Sequence, residues 1–200
     1  GRDGKLANPH QTSWGVSTRL LGAVIMVHGD DNGLVLPPYI APIQVVIVPV
    51  RQDAEGVLQK CNEIKNKLEE KGIRVKVDDS DHTPGWKFSE WEMKGVPLCV
   101  EIGPRDLANG TAMLSKRVSG EKSSISFDEL INSVSDILKD IHEFMYAKAL
   151  HSLDERITEV HTIDELKAAL DKGGYAKMMW CGCQECEDKV KEITNGGTAR

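Results

Sequence analysis

An overall excess of positive charge is what this chain lacks: 25 Lys and Arg stand against 31 Asp and Glu over 200 residues, a net charge of −6. Indiscriminate affinity for nucleic acid comes from neutralising phosphates with Lys and Arg, so a chain that coats any DNA or RNA is excluded, whereas a local, shaped contact is not. Long apolar runs are also missing, and none approaches the length needed to cross a bilayer. The opening residues, GRDGKLANPH, contain neither a signal peptide nor an initiating methionine, so the chain is expected to begin inside a longer polypeptide. Five cysteines without a secretory signal point to a reducing cytosol and not to a disulfide framework. Aromatic residues make up only 5%. What is present, 40% hydrophobic and 28% charged, suits a globular protein of one to two domains.

The charge is uneven. Between Pro84 and Lys122 the basic residues Lys87, Lys94, Arg105, Lys116, Arg117 and Lys122 slightly outnumber the acidic ones, and the rest of the chain is acidic.

The stretch TSWGVSTRLLGAVIMVHGDDNGLVLPPYIAPIQ, Thr12 to Gln44, carries the most information. Ser17 can cap a helix, because its hydroxyl can accept a hydrogen bond from a free N–H of the first turn. From Leu20 to Val27 only Gly22 is not plainly apolar, which predicts a helix buried on nearly all sides. Arg19 stands at the positive end of that helix, where a guanidinium and free N–H groups together suit a nucleotide phosphate; a pairing with a local carboxylate is the alternative. His28, Asp30 and Asp31 fit turn and cap chemistry better than a metal site, for which their ligand set is incomplete. Pro37, Pro38 and Pro42 then impose extended backbone.

From Ile43 short strands alternate with helices. Val45 to Val48 is β-branched without polar alternation, as in a central strand covered on both faces. Asp53 to Lys71 reads as an amphipathic helix with Val57, Cys61, Ile64 and Leu68 on one stripe and Gly72 at its end. Ile73, Val75 and Val77 form a half-buried second strand, parallel to the first because one helix connects them. A short helix over Trp86–Met93, a strand over Val96–Ile102 and a hairpin around Ser119–Lys122 follow. Ser126 to Glu129 is a capping box opening a long helix with Leu130, Val134, Ile137, Ile141 and Met145 on one face. A second box, Thr162 to Glu165, leads a short helix ending at Gly173-Gly174, and Tyr175–Trp180 reads as a strand.

Two strings concentrate chemistry in the middle region, Thr83-Pro84-Gly85-Trp86-Lys87-Phe88 and Gly95 to Asp106. Aromatics beside charged hydrogen-bonding groups are what single-stranded RNA recognition requires, yet aromatics at helical spacing equally suit a core. Near the end, Cys181, Cys183 and Cys186 crowd into six residues. Cys181 and Cys186 have the C-x4-C spacing of half a zinc site, Cys183 and Cys186 form a CxxC, and free structural thiols are the third reading.

Ser13-Trp14-Gly15, Ser17-Thr18-Arg19, His28-Gly29-Asp30-Asp31 and Gly33 to Pro38 together resemble the end of the catalytic domain of prolyl-tRNA synthetases, class II enzymes, in the branch found in archaea, eukaryotes and some bacteria. The resemblance covers essentially the whole chain. It implies an α/β protein in three parts: the end of a class II catalytic domain with motif 3 (1–41), an α/β anticodon-binding domain with a mixed five-stranded sheet (42–151), and a partial zinc-type domain (152–200). Arg19 would then lie against the ATP phosphates as the catalytic clamp, with Ser17 a second ATP contact and Ser13, Trp14 and Gly15 lining the adenylate and proline pocket. Phe88 would shape a base pocket, Glu92 and Asp106 would accept hydrogen bonds from base edges, and Arg105 would support that turn. Relatives mostly read Gly-Val-Pro-Leu-Arg where this chain has Cys99, leaving Lys116, Arg117 or Lys122 to replace the charge. Cys181 and Cys186 match the first half of the family's zinc site.

The activity implied is ATP-dependent joining of proline to tRNA(Pro), with ATP and Mg2+ as cofactors, Zn2+ at an incomplete site, a cytoplasmic location and a homodimeric full-length enzyme. The chain alone is expected to be inactive, since motifs 1 and 2 lie outside it. A free-standing tRNA-binding module and a thiol or zinc module are the alternatives.

Overall fold

A computed structural model describes residues 2–6, 8 and 11–199. The chain divides into two compact units, one running to Ser135 and the other from Asp136.

In the first unit, helix α1 (Arg19–His28) is followed by a turn in which Asp30 and Gly33 pair through their backbones. The burial predicted for this helix is not found: Leu20, Leu21, Ile25, Met26 and Val27 are all at least half exposed. An all-apolar sequence signals that a surface wants cover but does not say which element supplies it, and no element among the described residues covers this one. The N-cap is Thr18 and not Ser17, and no side chain caps the first turn.

Strand β1 (Val45–Pro49) is buried at every position, as its uninterrupted branched run requires. Helix α2 (Val57–Glu70) brings Val57, Cys61, Ile64 and Leu68 inward, the stripe expected, although it starts four residues later than the pattern suggested because Gly56 takes a left-handed conformation at its N-cap. The chain returns in strand β2 (Val75–Val77), parallel to β1. Helix α3 (Pro84–Met93) is capped by Thr83, with Pro84 in its first turn. Strand β3 (Leu98–Ile102) runs parallel to β1 on its other side. The short helix α4 (Pro104–Asn109) leads to strands β4 (Thr111–Lys116) and β5 (Lys122–Ser126), which add antiparallel. The mixed five-stranded order is β2-β1-β3-β4-β5.

One face of that sheet packs Val46 and Val48 against Trp91 and Val96, with Phe88 and Cys99 at the edge of the cluster. A polar network anchors α3 there. The indole N–H of Trp91 donates to Asp78 Oδ2 at 2.6 Å, and the fully buried Lys87 ammonium donates to the Asp78 carbonyl at 2.8 Å and to Gln52 Oε1 at 3.2 Å. Burial pushes the Asp78 carboxyl upward, but hydrogen bonds from Ser80 and Trp91 and the Lys87 charge outweigh it and hold it below the ordinary range.

Helix α5 (Phe127–Asp154) begins with Glu129 N–H donating to Ser126 Oγ at 3.2 Å. Its buried stripe is Leu130, Val134, Leu138, Ile141 and Met145, so Leu138 takes the place expected of Ile137. In the second unit a two-stranded parallel ribbon pairs β6 (Ile157–Glu159) with β7 (Tyr175–Lys177). Helix α6 (Ile163–Asp171) between them has the full capping box of Thr162 and Glu165. Its small core is Val160, Leu166 and Ala169, flanked by Met178 and by Val190 of helix α7 (Gln184–Ile193). No helix among the described residues is long and apolar enough to cross a membrane.

Candidate nucleic-acid interface

Register builds a pocket on the sheet face against which α3 packs. Cys99 of β3 pairs with Ser115 of β4, which pairs with Lys122 of β5, so three side chains form one lateral row. Glu101 and Met113 make the next row on the same face, two residues along. Helix α3 forms the wall, with Phe88, Trp91 and Glu92, and the enclosed space measures about 220 Å³. The Lys122 ammonium sits 5.8 Å from the centre of the Phe88 ring.

The other cations at this site are already engaged. Lys116 pairs with Glu121 at 3.3 Å, and the Arg117 fork holds Asp30. Lys122 is therefore the lysine left to meet a ligand, beside the carboxylates of Glu92 and Glu101. Cys99 stays a neutral thiol, because burial and the charge of Glu101 push it up to about 12. A flat ring, carboxylates that accept and an ammonium that donates can stack on a base and read both donors and acceptors on its edge.

Of the residues expected to contact an anticodon, Phe88 and Glu92 line this pocket. Arg105 and Asp106 do not line it; they stand on α4, where Asp106 Oδ2 accepts the Gly103 N–H at 2.9 Å. The two readings of the aromatics divide between residues: Trp91 is core, Phe88 is half-buried at the pocket, and Trp86 is exposed and lies against His82 with ring centres 3.8 Å apart. Spacing alone could not reveal Glu101, Ser115 or the choice of Lys122, since lateral register belongs to the folded sheet.

The earlier candidate residues lie apart. Ser13, Trp14, Gly15 and Ser17 are exposed in a stretch without regular structure, and Arg19 opens α1 with its side chain exposed. Arg19 forms no carboxylate pair among the described residues. Asp30 does the turn chemistry expected of it. The Arg117 guanidinium, with the Asn32 and Gly33 backbone, holds its carboxyl down at about 2.

In the second unit Cys181, Cys183 and Cys186 bring their sulfurs within 4.8 Å of one another, and the first two are 3.1 Å apart. Cys183 stands at the N-cap position of α7 without a side-chain capping bond, and Cys186 lies in the first turn. Hydrogen bonds from Cys186 and Cys183 lower Cys181 to about 7, while Cys186 is pushed up to about 12 as the donor to Cys181. The trio fits three corners of a tetrahedral site for a thiophilic ion, one ligand more than the C-x4-C spacing implied. The remaining thiols belong to the first unit, where Cys61 is buried and Cys99 is half-buried at the pocket.

Comparison with known proteins accounts for both regions. Residues 44–137, which contain the five-stranded sheet, match the family model described as "Anticodon binding domain", and this region is a domain of that class. Residues 163–200 match the model "Prolyl-tRNA synthetase, C-terminal". The chain is 52% identical over 200 residues to a proline–tRNA ligase of Clostridium botulinum, covering all of this chain and 41% of that protein. It is 53% identical over 195 residues to one from Alkaliphilus oremlandii, covering 96% and 40%, and 53% identical over 200 residues to one from Ruminiclostridium cellulolyticum, covering 100% and 41%. The chain belongs to the proline–tRNA ligase family, and it spans about 41% of the length of these relatives.

Proposed function

We propose that this chain supplies the anticodon-reading part, and the last piece of the ATP site, of an enzyme that activates proline with ATP and joins it to tRNA(Pro). The observation that carries the reading is the pocket in which Phe88, Glu92 and Lys122 converge within the stretch that matches an anticodon-binding model. Guanine, abundant in proline anticodons, offers O6 and N7 as acceptors to the ammonium and N1–H and N2–H as donors to the carboxylate. Lys122 in the row with Cys99 supplies the cation that relatives carry at the Cys99 position. Arg105 and Asp106, on α4, would meet a neighbouring nucleotide.

In the same reading Arg19 clamps the ATP phosphates with Ser17 beside it, and Ser13, Trp14 and Gly15 border the proline and adenylate. Mg2+ would offset the charge of the phosphates while the arginine would fix their position. Residues 1–41 then close a class II catalytic domain of the archaeal and eukaryotic type, 42–151 form the anticodon domain, and 152–200 belong to the zinc-type domain. The full-length enzyme is a cytoplasmic homodimer. Cys181 and Cys186, joined by Cys183, would hold Zn2+ with a further ligand; the ion would tie the loop after β7 to α7.

The reading is tested by replacing Lys122 with Met and Phe88 with Ala and titrating a proline anticodon stem-loop. Each change is expected to weaken binding by about tenfold, as loss of a stacking face or of a base-edge contact does. Unaltered binding in both variants would refute it. The isolated chain is expected to show no proline-dependent pyrophosphate exchange.

A further inference from the structure

Arg117 is the most heavily committed side chain beside the pocket, and base reading gives it no task. Its side chain is only 4% exposed. Nη1 donates to Asp30 Oδ2 at 2.8 Å, Nη2 to Asp30 Oδ1 at 2.5 Å, and Nε to the Glu92 carbonyl at 2.9 Å. Asp30 in turn accepts the Asn32 N–H at 3.0 Å and pairs with Gly33 through both backbone groups at 3.1 Å. Beyond Gly33 the chain is stitched to the end of α3: Leu34 N–H donates to Met93 at 2.9 Å and Leu36 N–H to Gly95 at 3.2 Å. The crossing is tight enough to demand glycine on both sides. A Cβ on Gly33 would lie 2.6 Å from the Met93 carbonyl oxygen and one on Gly95 2.6 Å from that of Leu34, and both residues have positive φ, 126° and 73°.

We propose that Arg117 is a positioning residue, and that its fork on Asp30 latches the pocket wall at Glu92 to the turn that ends α1, the helix opened by Arg19. The inference rests on the reading of the pocket as an RNA site. A base held by the Glu92 carboxylate loads the same residue whose carbonyl Arg117 grips. The bidentate fork fixes the angle of Asp30. The glycine crossing beside it leaves no slack, because packed backbone transmits a displacement that a loose loop would absorb. Arg117 thus acts through Glu92 and not on the ligand. Lysine cannot replace it, since a single ammonium lacks the planar fork that serves Asp30 and the carbonyl together.

The test uses the whole 200-residue chain in two arms. In the free protein, Arg117→Lys is expected to speed amide hydrogen exchange at Leu34 and Leu36 by about tenfold and leave Val46 and Val100 unchanged. Unchanged rates at Leu34 and Leu36 would overturn the latch, whatever RNA does. In the second arm Glu92→Gln is titrated with a proline anticodon stem-loop in both backgrounds. A loss of about tenfold with Arg117 that shrinks to about threefold or less with Lys is the positioning signature, which a merely structural role would not produce. Equal losses in the two backgrounds would overturn it. No loss at all from Glu92→Gln would remove the RNA reading and the coupling with it, while the exchange arm still decides whether the latch exists.

Discussion

Strands β1 and β6 make a useful contrast, since each is a short β segment in a parallel pair yet every residue of β1 is buried and every residue of β6 is exposed. Around β1 a five-stranded sheet is held by apolar side chains on α2 and α3, so the pocket stands on a floor the chain itself makes rigid. Among the described residues the core cluster beside β6 is just Val160, Leu166 and Ala169, and a two-stranded ribbon is marginal without other support. A capping box supplements that small core, and an ion held by the three gathered thiols would add to it. The pocket of the first region thus rests on contacts made within this chain, whereas order at the proposed thiol site would depend on a bound ion.

Removing core from the first region is the harshest way to break this contrast. Ile64→Ala is expected to lower unfolding free energy by about 2–5 kcal/mol in a urea titration followed by tryptophan fluorescence, because the side chain is fully buried against the sheet. A loss below about 1 kcal/mol would mean that the sheet is not held by this stripe. In the second region the large lever is metal. Zinc at a hundredfold excess over its dissociation constant is expected to add about 2.7 kcal/mol to the stability of α7, read by amide exchange, with no change in β1. Replacing Cys181, Cys183 and Cys186 with serine should abolish the gain; a gain that survives would locate the ion elsewhere.

Smaller changes sharpen the same division. Thr162→Ala removes the cap that accepts the Glu165 N–H, and about 1 kcal/mol of local stability should vanish from α6 while exchange in α2 stays as it was. The gentlest probe is pH. Asp30 has its pKa lowered from 3.8 to about 2 by Arg117, so the folded state favours the charged form. That contribution is present in full above the ordinary carboxylate range and is lost as pH falls toward 2. Between pH 4 and pH 2 the stability of the native chain should therefore drop more steeply than that of Asp30→Asn. Parallel curves would mean that the fork on Asp30 does not stabilise the turn.

The sequence announces elements whose signal is local. The unbroken Val45–Val48 run, the Val57 to Leu68 stripe and the Thr162 box depend on neighbours a few residues away, and each appears as expected. Features that depend on lateral register or on a partner element stay hidden. Cys99, Ser115 and Lys122 become neighbours only after β4 and β5 pair, and Asp78 meets Trp91 and Lys87 only after α3 docks. Helix α1 shows the converse: its apolar residues foretell burial, yet periodicity cannot supply the covering surface. The crowding of Cys181, Cys183 and Cys186 is plain in the sequence, but that all three sulfurs come within 4.8 Å of one another depends on the turn into α7.

The most direct measurement titrates the chain with a proline anticodon stem-loop and with the same loop after its anticodon guanines are replaced, across several salt concentrations. The native loop should bind at least about tenfold more tightly at every salt, the scale of a lost base-edge contact, and Glu92→Gln should erase most of that margin. Equal affinity for the two loops throughout would contradict a guanine-reading pocket at Phe88, Glu92 and Lys122.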